Sequence, residues 1–439
     1  MSFQRRNFLK SLAFSSAGLL LPTRLLADGG TRTYAPATVP GATGASGHVV
    51  VVGGGMGGAA VAKYLRLWGG TNVKVTLIEK NPAYISCILS NGVLYGAKTL
   101  SQLTYNYSAL AGNYGIKVVQ GEVKGIDPVT RSLSLADGSS LGYDRLVLSP
   151  GIDFDVIPGL ETAAAQMAVP HAWKAGAQTL ALRDQLRAMP NNGKGVFVLT
   201  IPAAPFRCPP GPYERACVVA DWLKKNRPGA KVIVLDANPG IVAQKTNFTY
   251  AFNTVHAGVI DYRPSTTVLS IDPATKTLDT NLGPITAHVI NAIPSQRAGG
   301  LVAAAGLANV SGRWAGVDVL SYESTVAGAA GIHIIGDASA TTQPKAGHIA
   351  NQEGKVCADA IVRLLKGQSP DPSPTTNSSC YTPITMGTAS WLSVVYGYDP
   401  ATRTMKPTGA GVTESARINA DQYEEMEEWF ASLMKETFA

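Results

Sequence analysis

The residue types able to do chemistry gather in a few short stretches of this chain. Cys208 lies in Pro205-Phe206-Arg207-Cys208-Pro209-Pro210-Gly211-Pro212-Tyr213-Glu214-Arg215. Proline lacks an N–H and fixes φ, so this is a stiff loop. A thiol held there beside Arg207 and Arg215 is expected to lean toward the reactive thiolate. The plainer reading is a cysteine packed in a tight turn, since cysteine is among the most buried residue types. The other cysteines are Cys87, Cys217, Cys357 and Cys380, and five thiols cannot all pair within one chain. None forms a CxxC or CxxCH pattern, and the histidines show no metal-ligand spacing. Neither a zinc ribbon, nor an attached haem, nor any other metal site is expected.

A second chemical signature is a glycine turn. The apolar run His48-Val49-Val50-Val51-Val52 reads as a strand buried on both faces. Gly53-Gly54-Gly55-Met56-Gly57-Gly58 follows, and Ala59 to Leu65 opens a helix. Gly53 makes the tight turn, Gly55 lets backbone approach a pyrophosphate at the helix start, and Gly58 lets helix and strand pack closely. A second strand, Val73 to Ile78, ends in Glu79, placed to accept from a ribose hydroxyl. This strand–turn–helix–strand order predicts a dinucleotide site built from Gly53, Gly55, Met56, Gly57, Gly58, Glu79 and Lys80.

The elements that position these residues suit a multidomain α/β protein. The chain has 439 residues, 45% hydrophobic and 15% charged, enough for two or three cored domains. The net charge is +7, but Arg5, Arg6, Lys10 and Arg24 lie at the N-terminus and their removal leaves +3. That is too mild a balance to argue for nucleic acid or an anionic membrane surface. Residues 1–27 combine paired arginines at Arg5-Arg6, an apolar stretch from Leu12 to Leu21 and a small residue at Ala27. This is expected to be a twin-arginine export signal, giving a periplasmic protein with no membrane span once matured. Residues 28–47 read as a flexible spacer.

Further along, Val196 to Ile201, a helix from Tyr213 to Lys225, and Lys231 to Leu235 form a second βαβ-like unit. The turn after its first strand, Pro202 to Pro210, is too bulky and proline-rich to approach a pyrophosphate. This unit is expected to be Rossmann-like without a nicotinamide site. A Pro/Ser linker at 368–379 leads to an aromatic and β-branched strand at 389–398 and a helix from about Ser415 to Phe438. The acidic run Glu424, Glu425, Glu427 and Glu428 reads as a solvated helix face.

These stretches together resemble the flavoprotein subunit of flavocytochrome c sulfide dehydrogenase, a relative of the sulfide:quinone oxidoreductases. The resemblance rests on Val49 to Gly58, Tyr84 to Gly92, Pro170 to Lys174, Ala203 to Arg215, Pro294 to Gly299 and Gly331 to Ala338. It implies two Rossmann-like domains of the FAD/NAD-linked disulfide reductase type plus a C-terminal α+β interface domain. The FAD-binding domain would comprise 48–160 and 295–370, the second Rossmann-like domain 161–294, and the interface domain 371–439. FAD is the implied cofactor. Tyr143 to Pro150-Gly151 and Gly331 to Gly336-Asp337 resemble returning strands, with Asp337 on the ribityl chain. A helix from about Gly347 to Leu365 would point its N-terminus at the flavin.

The resemblance also assigns Cys87 a thioether to the 8α-methyl of FAD, against the alternative of a core cysteine between Ile85 and Ile88. It makes Cys208 one of a redox pair, Glu214 an acid/base and Lys345 a charge near the site. The partner thiol is expected in a later loop that here reads Trp314-Ala315-Gly316-Val317-Asp318, so the pair looks incomplete. Cys217, Cys357 and Cys380 are assigned structural roles. Three readings stay open: sulfide oxidation at the flavin or at Cys208 alone; oxidation of another sulfur species; or an electron-transfer or binding partner with little sulfide activity. In each, a c-type cytochrome, as a separate subunit or a soluble protein, takes the electrons, because this chain encodes no haem motif.

Overall fold

The computed structural model describes residues 36–439, and Thr38–Ala439 forms one contact unit. The paired arginines and the rest of residues 1–27 lie outside the described residues, as does the spacer up to 35. The described end of the spacer is not free. Thr43 Oγ1 donates to Gly69 O at 2.6 Å, and the Thr71 N–H donates to Pro40 O at 3.1 Å. Gly70, at φ 75, lets this segment lie against it without a Cβ in the way.

The first Rossmann unit begins as its apolar runs dictate. Strand β1 (Gly47–Val52) feeds helix α1 (Met56–Gly69), which returns to strand β2 (Val73–Glu79). Both strands are buried on two faces, as continuous Val, Leu and Ile runs require. With β3 (Lys117–Gln120) and β4 (Arg145–Leu148) they form parallel pairs in the order β4-β1-β2-β3.

The second unit follows in chain order. Strand β5 (Val196–Ile201), helix α2 (Gly211–Asn226), β6 (Lys231–Asp236), β7 (Ile260–Arg263) and β8 (Val289–Ala292) give a four-stranded parallel sheet ordered β7-β6-β5-β8. The chain then returns to the first sheet through β9 (Ala315–Asp318), β10 (Glu323–Ser324), β11 (Ile332–Ile334) and β12 (Ser339–Ala340). The completed eight-stranded sheet runs β12-β9-β10-β11-β4-β1-β2-β3. Helix α3 (Gly347–Leu365) covers it, so the first unit is discontinuous in sequence.

The C-terminal part is an antiparallel sheet of β13 (Thr375–Pro383), β14 (Ala389–Asp399), β15 (Thr404–Pro407) and β16 (Thr413–Glu414), followed by helix α4 (Ala420–Phe438). The last helix starts five residues later than the sequence suggests. Asn419 caps it, its side chain accepting from the Gln422 N–H at 3.0 Å, while Ser415 and Asn419 stay bonded to β14. Among the described residues, no helix is long and apolar enough to cross a membrane.

Candidate functional site

The carboxyl ends of β1, β2 and β4 and the N-terminus of α3 open on one cavity of about 1010 Å³, large for a small-molecule site. Gly53, Gly55, Met56, Gly57, Glu79, Lys80, Cys87, Pro150, Gly151, Gly336 and Asp337 all line it. Gly53 has φ 101, and a Cβ there would strike Ser149 O, so the turn demands glycine. Gly58 does not line the cavity. A Cβ on it would run into Gly53 O, so its role is packing α1 against the turn. Glu79 faces the turn, with Oε2 accepting from the Gly54 N–H at 2.7 Å and Oε1 from the Asn81 side chain at 2.8 Å.

Asp337 carries an orphaned atom. Its Oδ1 is buried without a hydrogen-bond partner, and burial, ahead of any nearby charge, raises its carboxyl above the usual value. A buried lone acceptor beside a glycine turn and a helix N-terminus fits a hydroxyl-bearing dinucleotide. Its turn is clamped by a residue the sequence reading missed. Glu353, buried two turns into α3, accepts from the Gly336 N–H at 2.6 Å. Burial pushes Glu353 up to about 8, partly offset by that N–H and by Lys345. Only the i+17 spacing from Gly336 hints at it, and spacing across a loop carries no direction.

Cys87 is half-buried and lines the cavity, so it is not a core cysteine between Ile85 and Ile88. It is free to react with a group in the cavity. Lys345 departs from expectation: it is not among the lining residues. Its Nζ donates to Asp337 O at 2.9 Å and Ser339 O at 2.7 Å and sits 3.8 Å from the Trp314 ring centre. Its carbonyl accepts from the Cys208 N–H at 2.7 Å. Lys345 therefore ties the Asp337 turn to the Cys208 loop.

Cys208 lines the same cavity in a left-handed backbone conformation, φ 57, which costs a non-glycine residue on the order of 1–2 kcal/mol. The proline loop and the Lys345 contact hold it there. Gly211 is required beneath it, since a Cβ would come 2.8 Å from the thiol and 2.9 Å from the Trp173 ring. The expected thiolate is not what the geometry favours. Burial raises the Cys208 thiol well above its usual value, Cys380 and Glu214 raise it further, and Arg207 only partly opposes them. Arg215 is fully engaged elsewhere, donating to Asn91, Asn291 and the carbonyls of His171 and Ala172. Arg207 reaches toward Cys87 and Asp337, which outweigh its burial and keep it firmly charged.

The larger correction concerns the partner thiol. Ala315 is fully buried in β9, paired with Ser339 of β12, and does not line the cavity. Cys380, on β13, does. It is the foremost of the other residues whose charge acts on Cys208, and burial pushes its own thiol to about 11. Cys208 therefore has a second thiol at its cavity, and Cys380 lines that cavity instead of a core. Its strand is polar where it meets the cavity, Ser379-Cys380-Tyr381-Thr382, the one sequence sign that this edge faces a site. Cys217 and Cys357 are fully buried in the cores, as structural thiols should be.

Glu214 also lines the cavity. Its Oε1 accepts from Asn91 Nδ2 at 2.7 Å, and burial raises the carboxyl to about 7, eased by Asn91 and Arg215. A group titrating there can take and return a proton near neutral pH. In the second Rossmann unit, Asp236 at the end of β6 stands where a ribose acceptor would be. Both oxygens are taken: Tyr213 and Tyr262 hydroxyls donate to Oδ2 at 2.8 Å each, and Asn238 donates to Oδ1. Asp236 is therefore not a free acceptor for a ribose hydroxyl.

The family described as the sulfide dehydrogenase (flavocytochrome c) flavoprotein chain, central part, matches residues 179–294. The flavoprotein chain of Chlorobaculum thiosulfatiphilum is 53% identical over 46 residues, which are 10% of this chain and 94% of that sequence. The chain belongs to this family. The broader pyridine nucleotide-disulphide oxidoreductase family matches residues 47–187. The sulfide-quinone reductase of Aquifex aeolicus is 29% identical over 104 residues, 24% of each chain. The crystal structure of the sulfide:quinone oxidoreductase from that bacterium superposes with a TM-score of 0.73 at 18% identity, covering 89% of this chain and 91% of that one. That likeness establishes the two-Rossmann disulfide-reductase fold. The chain spans 27% and 24% of the first curated relatives it matches.

Proposed function

We propose that this chain is an FAD-dependent oxidoreductase of the sulfide:cytochrome c class. It takes two electrons from sulfide, or a related sulfur compound, and passes them to a c-type cytochrome, either a separate subunit or a soluble protein. One observation carries the reading. Cys208 and Cys380, from different domains, line the same cavity as the glycine turn, Asp337 and Cys87. FAD, once bound, supplies a two-electron acceptor. Gly53 to Gly57 would cradle its pyrophosphate, Asp337 would accept from its ribityl chain, and Cys87 would tether it through an 8α-S-cysteinyl bond.

The chain's own residues divide the remaining work. The Cys208–Cys380 pair, when joined as a disulfide, offers sulfide an S–S bond to attack. The attack leaves a persulfide on one cysteine and a thiolate on the other. Glu214, ionised near neutral pH, takes the proton that sulfide sheds. Lys345 fixes Cys208 against the Asp337 turn. Asp236, sealed by its tyrosines, closes the nicotinamide route, so reduction comes from the small substrate. Electron transfer or binding without a substrate of its own is disfavoured by how fully the dinucleotide site is retained. Oxidation of another sulfur species uses the same pair and is decided by which donor bleaches the flavin fastest.

We also propose export through the Arg5-Arg6 segment, which suits a protein that acquires FAD before crossing the membrane. Anaerobic mixing with sulfide tests the enzymatic reading. The oxidised flavin spectrum should bleach within a turnover, and its persistence with every small sulfur donor would sink the proposal.

A further inference from the structure

Cys87 stands just past a very small ladder. The strands Tyr84–Ile85 and Thr104–Tyr105 pair antiparallel, and the Ser86 N–H extends the pairing by donating to Leu103 O at 2.8 Å. A two-stranded ladder is marginal by itself, so packing must fix where it lies. That packing comes from α4. Phe438 stacks on Tyr84 and on Tyr105, with ring centres 5.2 and 5.4 Å apart and planes inclined by 16° and 22°. Phe430, on the same face of the helix, meets Tyr105 edge-on at 6.4 Å. Both phenylalanines are buried.

The end of α4 is itself gripped by the first Rossmann unit. Lys63 of α1 is buried, and its Nζ donates to Glu436 O and Ala439 O at 2.6 Å each. An amine taken this far out of water needs such partners. The Tyr64 hydroxyl donates to Glu436 Oε1 at 2.6 Å, and Asn351 Nδ2 on α3 donates to Glu436 Oε2 at 2.7 Å. Phe438 is therefore a fixed wedge behind the Cys87 strand. It also meets Tyr107 at 6.3 Å, but the glycine turn beside Tyr107 has anchors of its own. The Gly53 N–H donates to Ile78 O at 2.9 Å and the Gly54 N–H to Glu79 at 2.7 Å.

Resting on the reading that Cys87 tethers the flavin, we propose that Phe438 is a positioning residue for that bond. Seated by Lys63 and its neighbours, it holds the Cys87 strand where the thiol meets the 8α carbon. Tethering replaces the Cys87 S–H and one 8α C–H by a single C–S bond. The two hydrogens leave with their electrons to dioxygen, giving hydrogen peroxide. Reacting atoms displaced by about 1 Å lose on the order of a hundredfold in rate, so a shifted ladder binds the dinucleotide but bonds it slowly. Attachment of the flavin therefore waits until α4 has docked on the first unit.

The test adds 8-chloro-FAD to the full chain made flavin-free in riboflavin-starved cells. The Cys87 thiolate bonds to carbon 8, chloride leaves with the bonding pair, and no oxidant is needed. The change in flavin absorbance times the reaction. In Phe438→Ala the first-order rate at saturating probe should fall at least about tenfold. The dissociation constant of the probe, read in a Cys87→Ser background, should move by less than about threefold. Phe438→Leu keeps most of the volume and should lie between wild type and Phe438→Ala. Lys63→Met, which frees the end of α4, should slow the reaction as Phe438→Ala does. Equal rates in wild type and Phe438→Ala overturn the positioning role alone. No reaction in wild type overturns the tether reading and the role with it. Binding lost in step with the rate in both Phe438 variants also overturns it, because Phe438 would then only support the fold.

Discussion

Cys380 on β13 stands at the same cavity as Cys208 and is the foremost of the other residues perturbing its thiol, while Ala315 is buried in β9 away from the cavity. The two thiols that meet at this cavity come from the loop before α2 and from the C-terminal sheet. The C-terminal part is a wall of the site as well as its cover.

Loss of either thiol should be equivalent. Cys208→Ser and Cys380→Ser should each slow sulfide-driven flavin bleaching by about a hundredfold or more, with the flavin spectrum retained. Ala315→Cys should change nothing, since its side chain points into the β-sheet core. Stopped-flow reduction of the three variants checks this.

Cys87 should be the only covalent anchor. Denatured wild type should keep its flavin by mass, and Cys87→Ser should release it on unfolding. In that Cys87→Ser background, Glu353→Ala should weaken FAD binding by about tenfold or more, because the buried Gly336 N–H loses its carboxyl acceptor. Fluorescence titration of FAD into the flavin-free protein measures the difference.

Glu214 fixes a pH dependence. Its carboxyl sits at about 7 in the folded chain against an ordinary 4.5. As pH rises from 4.5 to 7, the unfolded chain ionises first, so folding loses stability across that window and stays lowered above it. In flavin-free protein, the denaturation midpoint of wild type should therefore fall relative to Glu214→Gln between about pH 5 and 7, then run parallel to it. The rate of sulfide reduction should move the other way, rising through about 7 in wild type, and be low and flat in Glu214→Gln.

The second Rossmann unit should be silent toward nicotinamide dinucleotides. Anaerobic NADH or NADPH should leave the flavin oxidised. Removal of the seal at Tyr262→Phe should not create a site, because Tyr213 still donates to Asp236 and Pro202 to Pro210 still fill the turn.

Much of the first unit was legible because its signals are local. The valine run, the glycines and Glu79 lie within one βαβ segment, and each has a single steric or hydrogen-bonding reason to be there. The loop at Cys208 was legible as stiff but not as a thiol raised by burial, since Arg215 looks like a neighbour in sequence and turns its guanidinium to Asn91 and Asn291. Lys345 looked like a charge at the site and proves to be a strut between two backbones. The place of Cys380 at the cavity was not legible because β13 and the loop before α2 lie about 170 residues apart, and no periodicity records their approach. Glu353 was missed for the same reason: a helix face does not declare which distant turn it clamps.

The most direct measurement is thiol mapping by mass spectrometry of the oxidised protein before and after sulfide. The account predicts a Cys208–Cys380 linked peptide in the oxidised sample, with Cys217 and Cys357 free. After sulfide it predicts loss of that link and a persulfide mass on one of the two cysteines. Cys208 recovered free in the oxidised protein, or joined to any cysteine but Cys380, would contradict it.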